Sequence, residues 1–323
     1  MEIFGLTIDV MLMMFVLILV GFILRKAKIL PEGMSDVTMA RLETYALVPA
    51  LNFYNWSTNC TVKSLKENAI LIVYGLVIIS IAILCAYPLS GLFVKKSSED
   101  KAKAYQRNIY KYAMAFGNYG FLGNFVVLGI FGNEGLFKYS MFTLTMSFII
   151  NSWGIYVLIP KDKKPSIKTL IRKMLNPPIV SIFLGGICGL LGFTEHMPDF
   201  LVRALSNAGN CMGPIAMILA GFVIGGYEFK ELLKNKKVYF ATVFRLILIP
   251  VVILTIFRFL VKVDDFTLTL ILVAFGAPFG LNTIVYPATY GGETRTGAAM
   301  AMISHTFALI TVPLLYYIFV VKL

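Results

Sequence analysis

Two stretches, Ala115-Phe-Gly-Asn-Tyr-Gly120 and Ala274-Phe-Gly-Ala-Pro-Phe-Gly280, decide how this chain is read. Gly120 and Gly280 lie 160 residues apart, and so do Gly132 and Gly292 further along each stretch. Both stretches sit inside apolar runs, yet both are dense in residues that weaken a helix. The first continues through Gly117, Gly120, Gly123, Gly129 and Gly132, with Asn118 and Asn124 between them. The second carries Gly276, Pro278, Gly280, Asn282, Thr283, Pro287, Gly291 and Gly292. Glycine costs helix stability, and proline also deletes a ladder hydrogen bond. Inside hydrocarbon, backbone groups freed this way must be satisfied by protein or by a water-filled cavity. A matched pair of interrupted spans in two halves of a membrane chain points to a binding site between them.

The rest of the chain supplies the membrane. Of 323 residues, 58% are hydrophobic and 14% charged, and the mean hydropathy is +0.80. So few polar residues cannot cover a soluble globule, which excludes a soluble enzyme and a disordered chain. Ten apolar spans are expected, at about 5–24, 38–56, 69–94, 109–131, 136–159, 177–193, 203–226, 238–261, 267–290 and 296–321. The net charge of +12 comes from Lys/Arg clusters between spans rather than from a basic helix face, so no nucleic-acid partner is expected. The loops after odd-numbered spans hold nineteen Lys and Arg, and the opposite side holds six. Excess Lys/Arg marks the cytoplasmic side, so both termini are expected outside the cytoplasm.

The basic linker 161–176 divides the chain into a first half, 1–160, and a second, 177–323, of five spans each. An odd number of crossings gives the halves opposite orientation. The expected fold class is therefore an all-α integral membrane protein of ten helices in two inverted five-helix repeats, with helices 4 and 9 broken. Val48-Pro49 in span 2 and Gly213-Pro214 in span 7 stand at similar places in each half.

The broken helices should carry the chemistry. The start of a half-helix presents free N–H groups and a positive dipole end, which favour an anionic group such as a carboxylate. Candidate binding residues around the breaks are Asn118, Tyr119, Gly120, Asn124, Pro278, Asn282 and Thr283. Their polar side chains could instead cap freed backbone groups. Asn52 in span 2 could reach the same cavity or bond to a neighbouring helix. His305 in span 10 is a candidate proton relay or a hydrogen-bonded interior histidine. Arg41, Glu43, Lys111, Arg245 and Arg258 lie in or beside spans; most read as snorkelling near span ends, with Arg41 and Glu43 as a candidate interior pair. Cys60, Cys85, Cys188 and Cys211 read as buried hydrophobes, and Gly185 to Gly189 and Gly221 to Gly225 as close helix packing. No HExxH, GxSxG or Cys/His cluster is present, so no enzyme, metal or cofactor is expected.

These residues resemble the auxin efflux carrier family, which joins bacterial organic-anion carriers with the plant auxin exporters. The resemblance runs over essentially the whole chain. It rests on Val48-Pro49-Ala-Leu-Asn52-Phe, Gly117-Asn118-Tyr-Gly-Phe-Leu-Gly123, Asn176-Pro177-Pro178, Pro278-Phe-Gly280 through Gly292, and Ser304 to Pro313. It implies a bile-acid/sodium symporter-like fold with a scaffold and a transport domain, elevator-type alternating access, and a homodimer in the cell membrane. It implies organic-anion substrates, small carboxylates such as malate or malonate, or auxin-like indole acids. The family's crossover asparagine falls on Asn118. The plant members' crossover proline falls on Thr283, while Pro278 matches an earlier proline. Where bacterial members have Gly-Ile-Pro, this chain has Gly123-Asn124-Phe125. An anion channel and a membrane sensor that binds without moving its ligand are the alternative readings.

Overall fold

The computed structural model describes the chain from Glu2 to Leu323 apart from positions 32 and 98. Helix α1 is Glu2–Lys26, and α2 covers residues 35–59 without a break. Within α2 a wide π turn, Glu43–Leu47, precedes Pro49, so the ladder is loosened just where the proline ring removes a donor. Helix α3, Val62–Phe93, starts on a reciprocal cap in which Thr61 and Ser64 bond each other's backbone N–H. Helix α4 is Lys101–Ala115, capped by the Asp100 carboxylate on the Lys103 N–H.

The chain then leaves helical geometry at Phe116, whose φ/ψ of −118/131° is extended. It resumes as α5, residues 119–131, through a π turn at Tyr119–Gly123. Gly132 breaks it again at φ +64°, a conformation glycine reaches without steric cost, and α6 follows over residues 133–158. Helix α7, Pro177–Leu190, begins on an Asn176 cap with two prolines in its first turn, where no N–H is missed. Helices α8, Asp199–Gly225, and α9, Lys236–Val261, follow. Helix α10, Asp265–Phe275, stops at Gly276; the chain restarts as α11, Asn282–Tyr290, and ends in α12, Arg295–Lys322.

Six helical stretches among the described residues are long and apolar enough to cross a bilayer: Gly5–Lys26, Val62–Phe93, Tyr119–Leu158, Asp199–Gly225, Lys236–Val261 and Arg295–Lys322. Helices α7 and α10 are apolar but shorter. The outward faces are hydrophobic, with Leu12, Val16 and Ile23 on α1, Ile81 and Leu84 on α3, Phe183 and Ile187 on α7, and Val252 and Leu260 on α9 all exposed. Such surfaces need lipid as their solvent. Cys85 and Cys211 are also exposed, so only Cys60 of the four cysteines is fully buried as expected.

Glycines set the closest approaches. A Cβ at Gly21 would strike the Ile218 carbonyl of α8, and one at Gly221 the Ile18 carbonyl of α1. Helix α7 lies as tightly on α2, where a Cβ at Gly185 or Gly189 would come within 2.7 Å of the Phe53 or Cys60 carbonyl. A Cβ at Gly75 of α3 would strike the Phe142 carbonyl of α6. Small residues allow this packing where no hydrophobic force draws helices together.

Arg258 sits by the α9 terminus paired with Asp265, as a span-end residue should. Arg41 and Glu43 form no pair: Arg41 is exposed, while Glu43 is fully buried with neither carboxylate oxygen hydrogen-bonded. Two residues apart on a helix, they point about 200° away from each other.

Candidate functional site

The two breaks meet. Gly117 and Phe279 form an antiparallel bridge, and the Asn118 N–H donates to the Pro278 carbonyl at 2.7 Å. The Phe279 N–H donates to the Ser304 hydroxyl of α12 at 3.0 Å. The chain around Gly117 and the chain around Phe279 are thus two short breaks in helical structure that bond to one another, the requirement for non-helical backbone at membrane depth. A Cβ at Gly280 would lie 3.2 Å from the Gly117 carbonyl, so both glycines are needed for the contact.

Below the crossing lies a residue that the sequence reading missed. Arg245 of α9 is 0% exposed and not a snorkelling side chain. Its Nε donates to the Ala277 carbonyl at 3.2 Å, Nη2 to Ala274 at 3.3 Å and Nη1 to Met114 at 3.5 Å. Ala274 and Met114 belong to the last turns of α10 and α4, whose final carbonyls have no intrahelical donor. One guanidinium therefore caps the negative ends of both first half-helices. It also explains Gly117, where a Cβ would collide with the guanidinium. Hydropathy alone gives no sign of it, because only the fold shows which face of α9 turns inward.

Above the crossing is a cavity of about 210 Å³. The leading turns of α5 and α11 border it, through Asn118, Tyr119 and Gly120 on one side and Gly280, Leu281 and Asn282 on the other. Asn176 and Pro178, at the start of α7, form a third rim. Three helix N-termini thus converge on one space; α7 contributes only the positive end of its dipole, because its first turn is two prolines and its Ile179 N–H is taken by Asn176. Among the described residues that border it none is charged.

Of the residues expected at the site, Asn118, Tyr119, Gly120, Asn124, Asn282 and Asn52 border this cavity. Asn52 does so while donating to the Pro178 carbonyl at 2.9 Å, so both roles considered for it coexist. The Asn282 amide donates to the Tyr112 hydroxyl at 2.9 Å, and the Tyr119 hydroxyl lies 3.4 Å from that of Ser147. Pro278 and Thr283 do not line the cavity. Pro278 holds Asn118 through its carbonyl, and the fully buried Thr283 hydroxyl donates to the Gly280 carbonyl at 2.9 Å. His305 stands one layer behind, its Nε2 at 3.3 Å from the Asn118 amide nitrogen. Ser140, Thr143, Ser147 and Asn151 of α6 add a polar wall the sequence reading overlooked. Its signal was present, since those four positions recur every three or four residues along an apolar span.

A model of the family described as membrane transport protein matches residues 6–168 and 163–316. The chain belongs to the auxin efflux carrier family. It is similar to an uncharacterized transporter of Methanocaldococcus jannaschii, with 27% identity over 312 residues, 95% of this chain and 96% of that one. An uncharacterized transporter of Methanothermobacter thermautotrophicus is 26% identical over 220 residues, 67% of each chain. The uncharacterized transporter YfdV of Escherichia coli K12 is 24% identical over 211 residues, 62% of this chain and 64% of its own. Membership of the auxin efflux carrier family makes this a multi-pass membrane transport protein, and neither the family nor these relatives are described as enzymes.

Proposed function

We propose that this protein is a secondary carrier of organic anions, binding a carboxylate at the crossing of its broken helices and moving it by elevator-type alternating access. The observation that carries the reading is the uncharged cavity onto which three helix N-termini open. Such a site attracts a carboxylate through N–H groups and dipoles and carries no buried countercharge when empty. The leading N–H groups of α5 and α11, with the amides of Asn118, Asn124, Asn282 and Asn52, would hold the substrate. Arg245 balances the negative ends of the preceding half-helices, α4 and α10. Malate and malonate fit the size of the cavity, and indole acids are the larger members of the class.

The same reading takes the chain as ten spans in two inverted five-helix repeats, 1–160 and 177–323 around the linker 161–176. The paired breaks, one in each half, support it. On this reading α1, α2, α7 and α8, closely packed through Gly21, Gly221, Gly185 and Gly189, would be the scaffold and would also form a homodimer. The remaining helices would move as the transport unit in the cell membrane.

Uptake of labelled malate, malonate and indole-3-acetate into proteoliposomes tests this. Saturable uptake that Asn118→Ala reduces at least about tenfold, the loss expected for about 1.4 kcal/mol of binding, supports the reading. Absence of uptake for all three sinks the substrate class. Conductance across a planar bilayer far above carrier turnover would favour an anion channel, and binding without uptake a sensor.

A further inference from the structure

The His305 ring lies between two partners of unequal character. Its Nδ1 is 2.7 Å from the Ala301 carbonyl, one turn earlier on α12, and its Nε2 faces the Asn118 amide at 3.3 Å. A carbonyl can only accept, so Nδ1 carries the proton. In the neutral ring Nε2 is then a bare lone pair, which accepts from the Asn118 Nδ2–H. Both side chains are buried, and Asn118 borders the cavity whereas His305 does not.

We propose that His305 is a proton-dependent positioning residue that sets which end of the Asn118 amide meets the substrate, so that one proton and one carboxylate bind together. A proton on Nε2 turns that atom into a donor. Asn118 can answer it only with Oδ1, and the amide must rotate end for end. Its NH₂ group then occupies the place that the carbonyl oxygen held, and a donor replaces an acceptor for a carboxylate in the cavity. No bond to carbon changes; one proton moves from solvent to Nε2 and leaves by the same route.

The charged groups around this pair suit such coupling. Arg245, on the α9 element packed against α12, lies on the far side of Gly117 and is held by three carbonyls. The other elements that touch α12 carry Asp9, Arg25 and Lys26 on α1, Lys101, Lys103, Arg107 and Lys111 on α4, Asp199 and Arg203 on α8, and Asp265 on α10, while the short helix Phe229–Leu233 brings Lys230 and Glu231, the latter paired with Arg295 in the first turn of α12. Helix α11 offers only the tyrosines Tyr286 and Tyr290; Tyr119 borders the cavity, and the Tyr112 hydroxyl is held by the Asn282 amide. Among the described residues no carboxylate is hydrogen-bonded or ion-paired to His305, and the buried carboxyl of Glu43 lies on α2, which does not pack against α12, so the substrate's own carboxylate is the group that balances the imidazolium. Proton and anion then raise each other's affinity by the same factor.

This inference rests on the carrier reading, and its test separates the two. The chain has two histidines, His196 and His305, so His196→Gln leaves a single imidazole to follow by nitrogen NMR in nanodiscs. Without anion, His305 should be neutral with the proton on Nδ1. Added acetate, malonate or indole-3-acetate should convert it to the doubly protonated ring. The dissociation constant of the bound carboxylate should rise about tenfold per pH unit above the transition, as one-proton linkage requires. In His305→Gln that dependence should flatten to within about twofold while binding persists, since glutamine takes up no proton. A proton on Nε2 in the free protein overturns the inference, as does a ring that none of the three anions protonates. Carboxylate uptake that depends on Asn118, with the same pH profile in wild type and His305→Gln, overturns it and leaves the carrier intact. Absence of carboxylate uptake in the wild type counts against both.

Discussion

Arg245 is the residue on which the crossing depends. It is the largest fully buried side chain among the described residues, and it satisfies three carbonyls that the breaks in α4 and α10 set free. Replacing it with methionine leaves those groups without a donor, at about 1–3 kcal/mol each. Arg245→Met should therefore lower the melting temperature of the detergent-solubilised protein sharply. Arg245→Lys should fall between it and wild type, because an ammonium cannot span three acceptors. Gly117→Ala should cost about 1–3 kcal/mol by pushing a methyl into the guanidinium, and unchanged thermal stability would mean that the contact is loose. Glu43 is the opposite case. Its carboxyl is fully buried on the same face of α2 as Leu47 and Leu51, and no hydrogen bond compensates it. Glu43→Gln keeps the shape and removes the possibility of a buried charge, so the melting temperature should hold or rise. A fall would reveal a partner for the carboxyl.

Helices here are defined as much by where they stop as by where they run. Each interrupted span is a pair of half-helices whose C-terminal end meets Arg245 and whose partner's N-terminal end meets the cavity. Helix α12 clasps both breaks from one side, with Ser304 on Phe279 and His305 on Asn118. Ser304→Ala should strand the buried Phe279 N–H at about 1–3 kcal/mol and reduce transport more than folding yield, since the loss falls on the crossing itself. The contact of α1 with α8 has another basis, backbone against backbone at Gly21 and Gly221. Gly221→Leu should separate these helices and depress thermal stability while leaving carboxylate binding, measured on the surviving folded fraction, within about twofold of wild type, because the cavity walls come from other elements.

Across the whole molecule, charge and apolar surface divide the work. The basic clusters Lys95 to Arg107, Lys161 to Lys173 and Lys230 to Lys237 all follow odd-numbered spans. The positive-inside bias then predicts both termini outside the cytoplasm. Alkaline phosphatase fused after Leu323 should be active in intact bacterial cells and green fluorescent protein at the same place dark; the reverse result would invert the orientation. The outward helix faces carry exposed leucine, valine and phenylalanine with little polar relief, so the protein should need detergent or lipid throughout purification.

The membrane class, six long apolar helices and the approximate place of both breaks were legible along the chain, because hydropathy and the helix-weakening power of glycine and proline are local properties. Asn118, Asn282 and Asn52 were legible for a related reason: amides are costly in apolar runs and stand out there. The α6 wall of Ser140, Thr143, Ser147 and Asn151 was written in its spacing but hidden by the small size of its hydroxyls. What no local rule could supply is which face of each helix turns inward. Arg245 and Arg258 look alike as arginines of one apolar span, yet one caps two half-helices at the core and the other pairs with Asp265 at the edge. Thr283 and Asn282 are neighbours, yet one bonds its own backbone and the other borders the cavity. Those differences depend on rotation about a helix axis and on contacts such as Arg245 with Met114 and Asn282 with Tyr112, more than a hundred positions apart, and only the packed structure decides them.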